Sequence, residues 1–138
     1  MEDISYFGDL QMIESNKIYF EMKFQVSIFT PMYEHNNKKY IRVLLNDHDM
    51  KRVLFSHNKH NLETKHVEDP LEGHVLTIKV PFRYNRVMCR FEGVPVQSLK
   101  KGDDAEIDVS FMGKWTYEDY SGYTWKLSYI KFKNEINE

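Results

Sequence analysis

One stretch near the start of the chain alternates between apolar and mostly polar residues with a period of two. Side chains of a β-strand point alternately to opposite faces of the sheet, so this pattern predicts a long strand with one buried face. Pro31 lacks a backbone N–H, and we therefore expect the strand to end at Thr30-Pro31. The apolar positions are Ile18, Phe20, Met22, Phe24, Val26 and Ile28.

Four later segments alternate in the same way. They cover residues 39–45, 76–82, 105–111 and 125–132. In the last segment the apolar phase changes near Tyr129, which predicts a β-bulge at that point. Residues 35–38 predict the turn after the first strand, and Pro95 predicts a single helical turn, because proline suits the first helical position.

The segment 46–74 is polar and has no clear period. Asp49 is a good helix-capping residue, so a short helix through Met50 and Val53 is predicted there. Ala105 is the sole alanine and aromatic residues make up 14% of the chain, a composition that favours strands over helices.

The length of 138 residues fits one domain with its own hydrophobic core. We divide the chain into an acidic lead-in at 1–16, a folded domain at 17–133 and a short C-terminal end at 134–138. The single cysteine, Cys89, excludes an internal disulfide and favours a reducing cytoplasmic or nuclear compartment. We find no apolar run long enough to cross a membrane.

Positive charge is concentrated in one part of the chain. The formal net charge is −2, but residues 73–102 carry a local charge of +5. A local field of this kind attracts phosphates over roughly 10 Å at physiological salt. The alternative interpretation is that these charges only solvate one face of a sheet.

Five large rings lie close together in the predicted hairpin at 115–125. A turn has no interior, so these rings cannot all belong to the core, and exposed rings can stack on unpaired bases. We expect Tyr120 and Tyr123 to be exposed, and Trp125, in phase with Leu127, to be buried. Trp115 is compatible with either position.

Three motifs in the last third of the chain carry a family resemblance. They are Tyr84-Asn-Arg86-Val-Met-Cys-Arg-Phe91, Leu99-Lys-Lys-Gly102-Asp, and Gly113-Lys-Trp115-Thr with Gly122 and Trp125. Their order resembles that of single-stranded DNA-binding proteins with an oligonucleotide-binding (OB) barrel. The first 75 residues and the C-terminus do not match, which fits a divergent, virus- or phage-encoded member.

Strand pattern and resemblance together predict an all-β fold. We expect a five-stranded antiparallel Greek-key OB barrel with one short helical turn and an extended aromatic hairpin. The resemblance implies that Tyr84, Phe91 and Trp115 stack on bases and that Arg86 faces the nucleic-acid backbone. The full predicted nucleic-acid interface is Lys79, Arg83, Tyr84, Arg86, Arg90, Phe91, Lys114, Trp115, Tyr117, Tyr120 and Tyr123.

The predicted function is sequence-independent binding of single-stranded DNA in replication, recombination or repair. RNA is an alternative ligand, and replication proteins are candidate partners. A dimer or tetramer paired through an exposed edge at 17–29 is one arrangement that the sequence leaves open. The alternative function is a protein–protein adaptor or virion component, which acidic Glu118 and Asp119 beside the tip rings would favour.

Catalytic and metal-binding functions find little support in the sequence. The histidines His57, His60 and His66 lack the paired spacing of a zinc site and suit a solvated loop better. Cys89 alternates with apolar neighbours and is expected to be a small buried hydrophobe. We therefore expect a protein that is not an enzyme and uses no cofactor or metal.

Overall fold

The computed structural model describes residues 19–133 and consists mainly of β-strands. The predicted lead-in at 1–16 and C-terminal end at 134–138 lie outside the described residues. Among the residues described, one α-helix, α1 (Asp47–Asn58), and one 3-10 turn (Val96–Ser98) interrupt the strands. The strands are β1 (Phe20–His35), β2 (Lys38–Leu45), β3 (His66–Glu68), β4 (Leu71–Glu72), β5 (Val75–Val80), β6 (Phe82–Arg83), β7 (Arg86–Val87), β8 (Arg90–Glu92), β9 (Asp104–Tyr117) and β10 (Tyr120–Phe132).

Five of these strands form a ring of hydrogen-bonded neighbours. The order around the ring is β1, β2, β5, β10, β9 and back to β1. Four of the five strand pairings are antiparallel. The fifth, between β5 and β10, is parallel and places Lys126 opposite Lys79. The prediction of a wholly antiparallel barrel is wrong at this pairing, because a closed ring with an odd number of strands cannot reverse direction at every pairing and must contain at least one parallel pair.

The inside of the ring is filled by the predicted apolar positions. Large side chains there, such as Phe24, Phe111 and Trp125, are at most 1% exposed. Burying one aliphatic or aromatic side chain contributes about 1.5–3 kcal/mol, so this set dominates the stability. The other members of the core include Val26, Ile28, Ile41, Val43, Leu45, Leu76, Ile78, Val80, Ala105, Ile107, Val109, Leu127 and Ile130.

Strand β1 does not end at Thr30-Pro31 as predicted, but continues to His35. Its pairing with β9 stops at Ser27, and two register shifts follow in its pairing with β2, so Pro31 occupies an irregular part of the ladder. Proline is tolerated at bulges and edges because no ladder hydrogen bond needs its missing N–H. Residues 20–27 of β1 pair with β9 and residues 26–35 pair with β2, so among the described residues one edge of the segment 17–29 is paired inside the barrel.

The segment 46–74 contains a longer helix than predicted. Helix α1 spans twelve residues, and its N-cap is Asn46, whose side chain accepts a hydrogen bond from the backbone N–H of Asp49 at 2.7 Å. Asp49 therefore lies inside the helix, where an acidic residue in the first turn favours the helix dipole. A helix in this segment is confirmed, but the prediction that it is short and capped by Asp49 is wrong.

Several local predictions are confirmed. The turn before β2 places Asn36 and Asn37 in the left-handed region, at φ 54° and 66°, as a tight two-residue hairpin requires. The 3-10 turn follows Pro95, and a register shift occurs between Leu127 and Tyr129. Within residues 19–133, no helix is long and apolar enough to span a membrane.

Candidate nucleic-acid interface

One outer face of the barrel is rich in cations. On β2, the outward positions are those that alternate with buried Ile41 and Val43. They include Tyr40 and Arg42, and Tyr40 lies opposite Lys79 of β5. We call the surface formed by Lys38, Tyr40 and Arg42 of β2, Lys79 of β5, Lys126 of β10 and Tyr33 of β1 the basic face.

Two aromatic rings lie side by side on the basic face. Tyr33 and Tyr40 are cross-strand partners, with ring centroids 5.8 Å apart and planes at 31°. Burial, together with the nearby Tyr33 and Glu68, raises the pKa of Tyr40, so its hydroxyl stays neutral at physiological pH. Tyr33 and Tyr40 therefore form an aromatic pair among the cations of the basic face.

Carboxylates neutralise part of the basic face. On the basic face, Glu72 Oε1 accepts a hydrogen bond from Arg42 Nη2 at 3.2 Å, and next to this face Glu34 Oε1 accepts one from Lys39 Nζ at 2.7 Å. These pairs are at or near the surface, where an ion pair contributes about 0–1 kcal/mol. A phosphate can replace such a partner at low energetic cost.

The outer face of β1 and β9 has the opposite character. Lys23 Nζ lies 2.8 Å from Asp108 Oδ1 and 3.0 Å from Glu106 Oε2. One cation therefore forms ion pairs with two carboxylates, which leaves an excess of negative charge. Hydrogen bonds from Lys23 and Gln25 lower the pKa of Glu106 and keep it ionised. The two outer faces therefore differ in charge, and a polyanion would be attracted to the side of β2 and β5 and repelled from the side of β1 and β9.

The predicted site residues between β5 and β9 come soon after the basic-face strand β5 in the sequence. The hairpin β6–β7 follows β5 directly after Pro81, and Arg83 and Arg86 are its opposed residues. Tyr84 at its turn is 80% exposed and Phe91 is 49% exposed. On β8, the Arg90 guanidinium lies 5.2 Å from the centre of the Tyr129 ring.

The predicted residues of the β9–β10 hairpin form a separate group. Tyr120 lies six positions before Lys126 on β10, which corresponds to about 20 Å along a strand. Its ring stacks on His66 at 4.8 Å, and the turn beside it consists of Glu118 and Asp119. The structure therefore does not gather all the predicted residues into a single site.

The other predicted residues of this hairpin are Lys114, Trp115 and Tyr117, and the first of these contacts the segment that follows α1. Lys114 Nζ donates a hydrogen bond to the carbonyl oxygen of Asn61 at 3.0 Å. Trp115 is half-buried and lies opposite Gly122 on the neighbouring strand. A Cβ atom added to Gly122 would lie only 2.8 Å from Trp115 Cζ2, so the ring packs directly on the glycine. Tyr117 keeps 45% of its surface exposed.

Tyr123 is not exposed at the tip, and that prediction is wrong. Its ring stacks on His57 with centroids 4.0 Å apart, and its hydroxyl lies 2.8 and 2.6 Å from the carbonyl oxygens of His57 and His60. Helix α1 covers this part of β10, and the sequence did not reveal that contact. Tyr123 therefore anchors the helix to the barrel.

His57 lies in α1 at its junction with the barrel and is only 3% exposed, so the prediction that it belongs to a solvated loop is wrong. Trp125, confirmed as a core residue, donates its indole N–H to His57 Nε2 at 2.9 Å. His57 Nδ1 lies 3.2 Å from Asp69 Oδ1. Because indole nitrogen can only donate, Nε2 must be the accepting nitrogen, and the proton of the neutral ring resides on Nδ1.

The metal and thiol alternatives gain no support from the described residues. Within 19–133, no cluster of three or more His, Cys, Asp or Glu side chains could hold a metal ion. His60 Nδ1 lies 3.0 Å from the carbonyl oxygen of Ser56. Burial raises the pKa of the Cys89 thiol to about 11, so little reactive thiolate forms near neutral pH.

Comparisons with known proteins find no match among family models, curated proteins or solved structures. The function must therefore be argued from the residues of this chain. The interface predicted from the sequence omits five residues of the basic face, which are Tyr33, Lys38, Tyr40, Arg42 and Lys126. The available signal was the period-two alternation on β2, which places Lys38, Tyr40 and Arg42 on one face.

Proposed function

We propose that the protein is a non-catalytic OB-fold protein that binds single-stranded nucleic acid on its basic face. The strand order supports the OB assignment. If the ring strands are numbered along the chain, they meet as 1-2-3-5-4-1, with strands three and five parallel. The 3-10 turn at Val96–Ser98 lies between strands three and four.

The observation that carries the proposal is the position of the cations. OB folds bind oligonucleotides mainly on the face of their second and third strands. In this chain those strands are β2 and β5, and their outer face holds Lys38, Arg42 and Lys79 beside the Tyr33–Tyr40 pair. The acidic face lies elsewhere, on β1 and β9.

The binding mechanism follows from these groups. Lysine and arginine side chains contact phosphates, and each base that stacks on an aromatic ring gains about 1–3 kcal/mol. Phosphates and ring faces are common to all nucleotides, so we expect binding to depend little on sequence. Single strands are preferred because their bases are free to stack. Such a protein would serve replication, recombination or repair.

A titration of fluorescein-labelled oligo-dT, followed by fluorescence anisotropy, tests the proposal. We expect micromolar or tighter binding at 50 mM salt, weaker binding of duplex DNA, and a log–log salt slope of about −0.7 per phosphate contacted. Oligo-U as competitor separates DNA from RNA preference. Unchanged anisotropy at micromolar protein would refute nucleic-acid binding. Anisotropy is preferable to tryptophan quenching because Trp125 is only 1% exposed.

The hairpin tip at 117–120 supports a second candidate function. Its exposed rings, Tyr117 and Tyr120, flank Glu118 and Asp119, and the N–H of His66 fixes the turn by donating to the Asp119 carbonyl oxygen at 2.9 Å. A rigid acidic and aromatic tip suits a basic protein partner better than a phosphate backbone. The adaptor function is therefore assigned to the tip, apart from the basic face.

A further inference from the structure

The two-residue turn of the β6–β7 hairpin has an unfavourable backbone conformation. Tyr84 and Asn85 both occupy the left-handed region, at φ 55° and 61°. Tight hairpins of this kind prefer Asn or Gly at both central positions. Asn85 suits its position, but a bulky residue such as Tyr84 is a rare occupant of the left-handed region. The turn would be more stable with another residue at 84.

The residues next to the turn add a second unfavourable feature. Arg83 and Arg86 lie directly opposite each other, and like charges at opposed positions repel. Neither arginine forms an ion pair with another residue in the range 19–133. The hairpin therefore carries two arginine side chains at opposed positions, and neither has a carboxylate partner among the described residues.

The other face of the hairpin is firmly attached to the barrel. Val87 packs against the core, and Lys39 Nζ lies 4.9 Å from the centre of the Phe82 ring. The backbone N–H of Met88 donates to the Pro81 carbonyl oxygen at 2.8 Å. Because side chains alternate along a strand, this attachment directs Arg83 and Arg86 to the solvent side.

We propose that the β6–β7 hairpin is a clamp for one nucleotide unit, in which Arg83 and Arg86 hold a phosphate and Tyr84 stacks on the adjoining base. This inference rests on the proposed function and names a contact within it. A bound phosphate removes the repulsion between the arginines, and a stacked base uses the ring that the strained turn keeps 80% exposed. Local strain that lowers stability in the free state is typical of binding sites.

The clamp makes stability and affinity change in opposite directions at one position. Tyr84→Asn should raise the melting temperature by about 3 °C, since Asn suits the left-handed region. The same change should weaken oligo-dT binding about tenfold, because one stacking ring is lost. Tyr84→Phe retains the ring, so we expect binding within about twofold of wild type.

Two further variants serve as a control and a charge test. Asn85→Gly retains a residue that adopts the left-handed conformation at the same turn, so it should leave the affinity within about twofold of wild type. Arg83→Gln removes the repulsion and one phosphate contact, so the salt slope should become shallower by about 0.7.

The clamp is tested by measuring the oligo-dT affinity of these full-length variants by fluorescence anisotropy and their melting temperatures by thermal unfolding. Binding by the wild type tests the proposed function, and the difference between Tyr84→Asn and Asn85→Gly tests the clamp. Equal affinities of these two variants, or a lower melting temperature for Tyr84→Asn, would overturn the clamp while leaving the binding function in place. Absence of binding by the wild type would overturn both.

Discussion

Lowering the pH from 7 to 4 should destabilise the wild-type protein by about 2–3 kcal/mol more than it destabilises the variant His57→Gln. Burial lowers the pKa of His57 from its ordinary value of 6.5 to about 4, although Asp69 partly opposes the shift. The unfolded chain therefore takes up a proton on this residue at a higher pH than the folded chain.

The sign of the effect follows from that difference. Above pH 6.5 the imidazole is neutral in both states and stability is unaffected. Between pH 6.5 and 4 only the unfolded state is protonated, so stability falls as the pH falls, and the loss is complete below about pH 4. Protonation in the fold would place a proton on Nε2, facing the Trp125 indole N–H.

Urea unfolding of both proteins at pH 7, 5.5 and 4 measures this effect. The glutamine side chain can still accept the Trp125 hydrogen bond but does not titrate, so the variant retains only the pH dependence of the other groups. Those facing the imidazole are Asp69, His60 and Tyr123. Parallel pH profiles for the two proteins would show that His57 does not fasten α1 to the barrel in its neutral form.

Reversing two charges on the basic face should weaken oligo-dT binding on the order of 100-fold at 50 mM salt. The variant replaces Lys38 and Lys126 with glutamate, on β2 and on the β10 strand beside β5. Both side chains lie on the outer surface, so the fold should be retained. The log–log salt slope should also become shallower by about 1.4, corresponding to two lost phosphate contacts.

A variant with the same change in net charge serves as the control. Lys51 on α1 and Lys100 after the 3-10 turn are exposed and lie outside the basic face. Replacing both with glutamate should reduce affinity less than tenfold, through the long-range field alone. Equal losses in the two double variants would mean that only net charge matters and that β2 and β5 form no specific site.

Alternation allowed the barrel strands and their inward residues to be predicted. On β1, β2, β5 and β9 the period-two pattern named the side chains that fill the core, because each strand has one buried face. It could not name the partner of each strand. The parallel pairing at Lys79 and Lys126 depends on the path of the chain between β5 and β10, which local patterns do not record.

Helix α1 illustrates why part of the fold could not be predicted. Its buried face includes Asp49, Ser56 and His57, so it has little hydrophobic period. The helix is held instead by specific polar contacts, such as those of His57 with Trp125 and Tyr123. Contacts of this kind depend on three-dimensional placement, and they also explain why Tyr123 is covered although it follows a turn.

Hydrogen–deuterium exchange of the wild-type protein, with and without saturating oligo-dT, tests the central claim most directly. We expect slower exchange in peptides covering 38–45 and 75–87, where β2, β5 and the β6–β7 hairpin lie, and little change across 47–58 or 104–110. Protection confined to the hairpin tip at 117–120, or no change in any peptide under conditions of saturation, would contradict nucleic-acid binding on the basic face.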